Sequence, residues 1–103
     1  MNDLNIVEFK AKLDKSEDFV LIDVREAWEH QEFNMGGENI PLGVLTLKLD
    51  DLEEAREKEV IVYCKMGGRS GMAKQILIQS GFTNVRNLLG GADSWIATFG
   101  KSL

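Results

Sequence analysis

Two short apolar runs constrain the fold of this chain more than any other feature of its 103 residues. Residues 19–24 read Phe-Val-Leu-Ile-Asp-Val and residues 60–63 read Val-Ile-Val-Tyr, without the apolar-polar alternation of a half-exposed strand. Runs that are short and continuously apolar are typical of strands buried on both faces of a parallel sheet. Residues 84–88 can supply a third strand.

Helical patterns separate these runs. Asn5 and Glu8 form a capping-box signal ahead of a short amphipathic helix. Residues 25–33 predict a second short helix, and residues 42–58, where leucines are spaced among acidic residues, predict helical structure over one face of the sheet. A further helix follows residue 70, with Gly81 as its C′ residue. The face of that helix expected to pack against the sheet consists of Met72, Ala73, Ile76 and Leu77.

A last helix is predicted after the glycine pair at residues 90–91. Strands that alternate with helices at these separations indicate a parallel sheet covered on both faces. We therefore predict an α/β fold with about four to five parallel strands, formed by a single domain over residues 1–103. The predicted core includes Trp28, Trp95, Phe9, Phe82 and the methionines other than Met66.

Composition excludes several classes of function. The 12 Lys and Arg residues against 17 Asp and Glu give a net charge of −5, so a nucleic-acid-binding face is not expected. The single cysteine excludes an intramolecular disulfide, and one cysteine with one histidine provides too few ligands for a typical structural metal site. Nucleotide-binding glycine motifs and an apolar run of ~20 residues are missing, and the charged amino-terminal segment is not expected to be a secretory signal. We expect a cytoplasmic monomer with no membrane contact, metal or cofactor.

The most informative segment begins where the second apolar run ends, at Cys64. Ligands of open parallel sheets bind outside the carboxyl ends of the strands, which is where this residue falls. A glycine-rich turn leading into a helix can direct successive backbone N–H groups at an anion, and Arg69 and Lys65 add positive charge. Cys64 is therefore expected to be an ionised nucleophile that needs no general base. The predicted anion-binding residues are Lys65, Met66, Gly67, Gly68, Arg69 and Ser70.

Each of these side chains also has an ordinary structural interpretation. Cys64 could be a small buried apolar residue, which is the commoner fate of an isolated cysteine. Lys65 could be a solvated lysine, Arg69 a partner in a salt bridge, and Ser70 a helix cap rather than a ligand contact. The combination of the glycine pair, Arg69 and the following helix favours the catalytic interpretation of Cys64.

The segment Cys64-x-x-Gly67-x-Arg69-Ser70 after a Val-Ile-Val-Tyr strand resembles the active-site loop of single-domain rhodaneses, which are sulfurtransferases. Three further segments match motifs of that family in the same order: residues 21–26, residues 39–42 and residues 89–95. The resemblance implies a rhodanese-like sheet with helices on both faces. The chain departs from the family at residues 33–38, where a Gly-His-Ile-Pro-Gly-Ala stretch is common and the histidine is missing here.

By this resemblance, Cys64 carries a persulfide and the backbone amides of the loop hold its terminal sulfur or a bound oxyanion. The resemblance also implies that Arg69 and Lys65 attract a small sulfur-donor anion such as thiosulfate. The expected acceptor is cyanide or a thiol, or a protein acceptor. Asp23 and Arg25 are expected to form a structural ion pair near the site.

Two alternatives to a thiosulfate sulfurtransferase stay open at this stage. One is a rhodanese-like sulfur-relay or protein-interaction module with little turnover on free thiosulfate. The other is a cysteine phosphatase or arsenate reductase, whose loop has five residues between the cysteine and the arginine. Here residues 65–68 place only four between Cys64 and Arg69, so the ring of amides is smaller and fits a single sulfur atom better than a phosphoryl group.

Overall fold

The two apolar runs lie side by side at the centre of the fold in the computed structural model, which describes residues 2–101. The 3-10 segment described below spans Leu42–Ala55. The other elements along the chain are α1 (Ile6–Asp14), β1 (Val20–Asp23), α2 (Ala27–Glu32), β2 (Glu38–Asn39), β3 (Glu59–Tyr63), α3 (Gly68–Gln79), β4 (Asn84–Asn87) and α4 (Gly91–Phe99).

All four strands are parallel and lie in the order β2-β1-β3-β4. The two runs pair directly, with Val20 opposite Val60 and Asp23 opposite Tyr63. Both are central strands, which explains their lack of alternation, because side chains on both faces are buried. The predicted α/β fold with a parallel sheet is confirmed.

Helices cover both faces of the sheet, as predicted. On one face, Ile22 and Val62 join a cluster with α3 and the 3-10 segment. On the other face, Leu21 and Ile61 join a second cluster with α1 and α4. Successive residues of β1 and β3 therefore belong to opposite clusters, and Cys64, which follows β3, belongs to the cluster of Ile22 and Val62.

Local signals at the helix ends are confirmed. Asn5 caps α1 by accepting the Glu8 N–H at 2.9 Å, and the Glu8 carboxylate accepts the Asn5 N–H at 2.9 Å. Gly81 follows α3 with a φ of +98°, the left-handed conformation expected of a C′ glycine. The helical segment predicted over residues 42–58 is a 3-10 helix that ends at residue 55, and it buries Leu45, Leu52 and Ala55.

Two predicted core residues lie at the surface. The Trp28 side chain is 62% exposed, because α2 is only six residues long and buries none of them. Met72 is 61% exposed, because the inward face of α3 is centred on Ala73 and Leu77, which are buried as predicted, and Ile76 packs beside them. Phe9, Phe82, Trp95 and Met35 are buried as predicted, Met66 is exposed, and Met1 lies outside the described residues.

The inward face of α3 contains two polar side chains. Its buried residues are Ser70, Ala73, Lys74 and Leu77, which recur at the spacing of one helical face. The Lys74 ammonium donates to Asp3 at 2.5 Å, and the Ser70 hydroxyl donates to Asn87 at 2.6 Å. Polar groups can occupy this face because each has a partner.

The segment without the family's histidine forms a turn fixed by close backbone packing. Gly37 has a φ of +86°, and a Cβ atom on it would lie 2.5 Å from the Leu21 carbonyl oxygen. The Tyr63 hydroxyl accepts the Met35 N–H at 3.1 Å and donates to the Gly36 carbonyl at 2.9 Å. Glycine is therefore required at position 37 by both conformation and space.

No helix within residues 2–101 combines the length and apolarity needed to cross a bilayer. In the same part of the chain, no three His, Cys, Asp or Glu side chains gather as ligands of a metal ion would.

Candidate active site

Cys64 lies at the carboxyl end of the central strand β3, with only 2% of its surface exposed. Two donors converge on its sulfur. The Gly67 N–H donates to Sγ at 3.0 Å, and the Ser70 hydroxyl lies 3.3 Å from it. The strand end, the glycine loop and the first turn of α3 thus form a shallow cradle around one sulfur atom.

The direction of the loop peptides explains this convergence. Gly67 is the N-cap of α3 and adopts a φ of +118°, which reverses the chain after the strand. On the outer side, the Ala92 and Asp93 N–H groups at the start of α4 donate to the carbonyls of Cys64 and Lys65, both at 2.9 Å. With these carbonyls held outward, the following amides face the sulfur, as in an anion-binding nest.

The cradle changes the acidity of the thiol. Burial raises the pKa of Cys64, but hydrogen bonds from the Ser70 hydroxyl and from the backbone amides of Ser70, Gly67 and Met66 outweigh burial, so the net pKa is lowered. The predicted loop amides are thus the groups that favour the charged form. A thiolate is the nucleophilic form of cysteine.

The lowered pKa predicts reactivity at neutral pH. An unperturbed cysteine has a pKa of about 8.5 and is mostly protonated at pH 7. We expect the Cys64 thiolate to persist as the pH falls below about 8.5, the pKa of an unperturbed cysteine. Its ultraviolet absorbance, measured against a Cys64→Ser blank, follows the ionisation. Tyr63 is the single tyrosine of the chain and burial raises its pKa, so its ionisation is separate from that of the thiol. A midpoint at or above 8.5 would contradict the cradle.

Arg69 reaches the mouth of the site in a salt bridge. Its guanidinium donates to both carboxylate oxygens of Glu29 on α2, at 2.7 and 3.0 Å. This pairing lowers the pKa of Glu29 to about 2, and the Arg69 side chain keeps 35% of its surface exposed. The hydrogen bond to Glu29 raises the pKa of Arg69, and the negative charge of an ionised Cys64 adds to that rise. Arg69 therefore forms the salt bridge of the structural interpretation and also lies at the site.

The side chains of Lys65 and Met66 lie on the outside of the loop. The Lys65 ammonium pairs with Asp93 at 2.9 Å in an exposed salt bridge, and Met66 is 69% exposed. Lys65 also borders a cavity of about 210 Å³ between α2 and α4, whose wall includes Trp28 and Arg25. This cavity opens beside the loop and lies next to the cradle rather than within it.

Sequence reasoning missed Asn87. The carboxamide oxygen of Asn87 accepts the Ser70 hydroxyl at 2.6 Å, and its Nδ2 donates to the Gly67 carbonyl at 3.1 Å. Ser70, left open between cap and ligand contact, therefore lies fully buried between Cys64 and Asn87 and shares its one hydroxyl proton between Sγ and the Asn87 oxygen. The sequence did contain one signal, because Asn87 is a polar residue at the carboxyl end of a predicted strand. That strand, β4, pairs with β3, the strand that Cys64 follows.

The predicted ion pair of Asp23 and Arg25 is confirmed. Asp23 is fully buried and accepts Arg25 Nε at 2.9 Å and Nη2 at 2.8 Å. His30 also places Nδ1 2.8 Å from Asp23, so the one histidine of the chain belongs to this cluster. The cluster fixes the end of β1 and the start of α2, from which Glu29 reaches Arg69.

Comparisons with known proteins agree with this geometry. A profile of the Rhodanese-like domain matches residues 5–98. The adenylyltransferase and sulfurtransferase MOCS3-1 of maize (Zea mays) is 37% identical over 94 residues, which cover 85% of this chain and 20% of that protein. The thiosulfate sulfurtransferase GlpE of Coxiella burnetii is 34% identical over 88 residues, covering 84% of this chain and 79% of that protein.

Among solved structures, the human single-domain sulfurtransferase TSTD1 superposes with a TM-score of 0.81 at 26% identity, covering 95% of this chain and 97% of that one. This chain spans only about a fifth of the length of the maize relative. The matched profile covers most of the chain and includes the Cys64 loop. This chain belongs to the rhodanese-like domain family.

Proposed function

We propose that this protein is a sulfurtransferase that takes sulfane sulfur from thiosulfate, or from a related small anion, and holds it as a Cys64 persulfide. The observation that carries this proposal is the convergence of the Gly67 amide at 3.0 Å and the Ser70 hydroxyl at 3.3 Å on Sγ. Such donors stabilise a thiolate before the reaction and an anionic sulfur after it.

The proposed reaction has two steps. The Cys64 thiolate attacks the outer sulfur of thiosulfate, a new S–S bond forms, and the original S–S bond breaks with its electron pair leaving on sulfite. A thiol or cyanide then attacks the outer sulfur of the persulfide, and the Cys64 thiolate is regenerated. The partly exposed guanidinium of Arg69 offsets the charge of the approaching anion, although Glu29 shares it.

The size of the loop favours sulfur over phosphate. Only four residues separate Cys64 from Arg69, and both Arg69 Nη atoms are bound to Glu29. A phosphoryl group on Sγ presents three oxygens and requires more donors than a single sulfur does. We therefore expect no hydrolysis of an aryl phosphate.

Intact-mass spectrometry tests the first step. After incubation with thiosulfate and removal of excess donor, we expect the protein to gain about 32 Da, one sulfur atom, and to release sulfite in equal amount. Cyanide should then return the mass to its starting value and yield thiocyanate. A protein pre-alkylated at Cys64 is the control and should gain nothing. An unchanged mass with thiosulfate and with other sulfane donors would reject the proposal.

A second candidate, a sulfur relay to a protein acceptor, is favoured by the exposed apolar side chains around the loop. Met66 is 69%, Trp28 62% and Leu89 49% exposed, although large apolar side chains usually pack. A relay would form the same persulfide but lose it slowly to cyanide. The rate of the second step therefore separates the two candidates.

We also propose that the protein is a cytoplasmic monomer.

A further inference from the structure

Cationic side chains beside the cradle are paired with carboxylates. The pairs are Arg69 with Glu29, Lys65 with Asp93, and Arg25 with Asp23. The Arg25 pair is buried, and the Lys65 pair is exposed to water, where an ion pair is weak. The Arg69 pair differs from both, because it lies at the mouth of the site and is held in a fixed geometry by two hydrogen bonds, of 2.7 and 3.0 Å.

Glu29 is a permanent negative charge at this mouth. Besides the two bonds from Arg69, its Oε1 accepts the Glu26 N–H at 3.0 Å in the capping box of α2. Only 11% of its side chain is exposed. The bonds from Arg69 and from the Glu26 N–H lower the pKa of Glu29 to about 2, so the carboxylate stays ionised at every pH at which a thiolate reacts.

This charge acts on any anion that approaches Cys64. Arg69 lies within electrostatic reach of the sulfur, because the charge of an ionised Cys64 contributes to the raised pKa of Arg69. An anion attracted to the exposed part of Arg69 therefore also comes within reach of Glu29. The carboxylate repels each negative charge of that anion, so a dianion is repelled about twice as strongly as a monoanion and a neutral molecule is not repelled.

We propose that Glu29 is a specificity-determining residue that reduces the preference of the site for doubly charged sulfane donors, such as thiosulfate, over donors of lower charge. The inference rests on the proposed function, because it concerns the donor of the same sulfur. Glu29 keeps Arg69 oriented at the mouth and offsets the charge of its guanidinium. Thiosulfate is then a donor that the site accepts without strongly selecting it.

The variant Glu29→Gln isolates the charge from the position of Arg69. A glutamine oxygen keeps the bonds that Oε1 accepts from the Glu26 N–H and from Arg69 Nη1, and glutamine suits this position of a capping box. The glutamine NH2 group cannot accept from Arg69 Nη2, which is left free for an incoming anion. The mouth therefore gains one positive charge while Arg69 keeps one of its two bonds.

Alkylation of Cys64 tests this charge without any sulfur donor. Iodoacetate and iodoacetamide both form a C–S bond with the thiolate and release iodide, and they differ by one negative charge. Both rates are proportional to the thiolate fraction, so their ratio cancels any change in the thiol pKa. At low ionic strength we expect Glu29→Gln to raise the ratio of the iodoacetate rate to the iodoacetamide rate about threefold. High salt should reduce this gain.

A pair of sulfane donors extends the test to sulfur transfer. Thiosulfate is a dianion, whereas methanethiosulfonate, in which a methyl group replaces one charged oxygen, is a monoanion. Attack of the Cys64 thiolate on the outer sulfur of either donor forms the persulfide, and sulfite or methanesulfinate leaves with the electron pair of the broken S–S bond. With cyanide as acceptor, kcat/KM for each donor reports this first step. We expect Glu29→Gln to raise kcat/KM about tenfold for thiosulfate and about threefold for methanethiosulfonate.

Glu53→Gln is the matched control. Glu53 also pairs with an arginine, Arg56, which binds the Ser80 carbonyl at the far end of α3 from the cradle. This substitution changes the net charge of the chain by the same amount, and both ratios should keep their parental values. Circular dichroism and thermal unfolding show that each variant folds.

A folded Glu29→Gln protein in which either ratio is unchanged or lowered would overturn the proposal, and so would an equal rise in Glu53→Gln. A fall in kcat/KM for both donors would also overturn it, because Glu29 would then serve only to position Arg69.

Failure of this inference and failure of the proposed function give different results. Sulfur transfer by the parent, with a donor ratio that Glu29→Gln does not raise, would keep the proposed function and reject the role of Glu29. If the parent accepts sulfur from neither donor, the sulfurtransferase is rejected, and the alkylation ratio decides separately whether Glu29 disfavours anions at Cys64.

Discussion

Replacing the nucleophile, Cys64→Ser, is expected to reduce thiosulfate:cyanide sulfur transfer at least about a thousandfold. Serine fits the space of the buried thiol, but its hydroxyl stays protonated at neutral pH and cannot form a persulfide. Because Cys64 is the one cysteine of the chain, no other thiol can replace it. Initial rates of thiocyanate formation, measured over both substrate concentrations, check the loss, and the parent should follow ping-pong kinetics.

The substitution is also expected to leave the fold intact, because the Gly67 N–H and Ser70 hydroxyl that face Sγ can bond a serine oxygen. Circular dichroism and thermal unfolding of Cys64→Ser provide that control. Thiocyanate formation at the parental rate by the folded serine variant would remove Cys64 from the mechanism, and with it the two-step reaction.

A methyl group on the first residue of α4, Gly91→Ala, is expected to destabilise the protein by about 3 kcal/mol or more. Gly91 has a φ of +54°, and a Cβ atom there would lie 2.3 Å from the Cys64 carbonyl oxygen and 2.8 Å from that of Lys65. Both obstacles are backbone atoms that cannot move aside without shifting the loop. Thermal unfolding should show a midpoint lower by roughly 12 °C or more, with sulfur transfer reduced as well.

Gly43→Ala is the matched control for that substitution. Gly43 lies in the 3-10 segment, and a Cβ atom on it would meet nothing within 4 Å. We expect a change in unfolding free energy of less than about 1 kcal/mol, of either sign. Equal stability of the Gly91→Ala and Gly43→Ala proteins would contradict the close approach of α4 to the loop.

The part of the site that could be predicted from sequence is local. Cys64, the glycine turn and the start of α3 are contiguous, and the conformation of Gly67 depends on its own lack of a side chain. The central position of β1 and β3 also followed from sequence, because a strand buried on both faces must be apolar throughout. The matching motifs of a known family then indicated the chemistry.

The rest depends on neighbours that only the fold brings together. Ser70 and Lys74 are buried because Asn87 and Asp3 meet them from another strand and from the amino-terminal segment, and a periodicity of apolar residues cannot reveal such partners. The exposure of Trp28 has the opposite cause. Its apolar character predicted burial, but α2 is too short and too peripheral to bury a side chain.

The start of α4 has a consequence for how this site can diverge. Its amides bind the carbonyls of Cys64 and Lys65, so the loop and the closing helix are in register with one another. An insertion that enlarged the cradle for a bulkier oxyanion keeps these bonds only if it falls after Lys65. Divergence toward another substrate is therefore confined to the part of the loop after Lys65, unless two segments more than twenty residues apart in the chain change together.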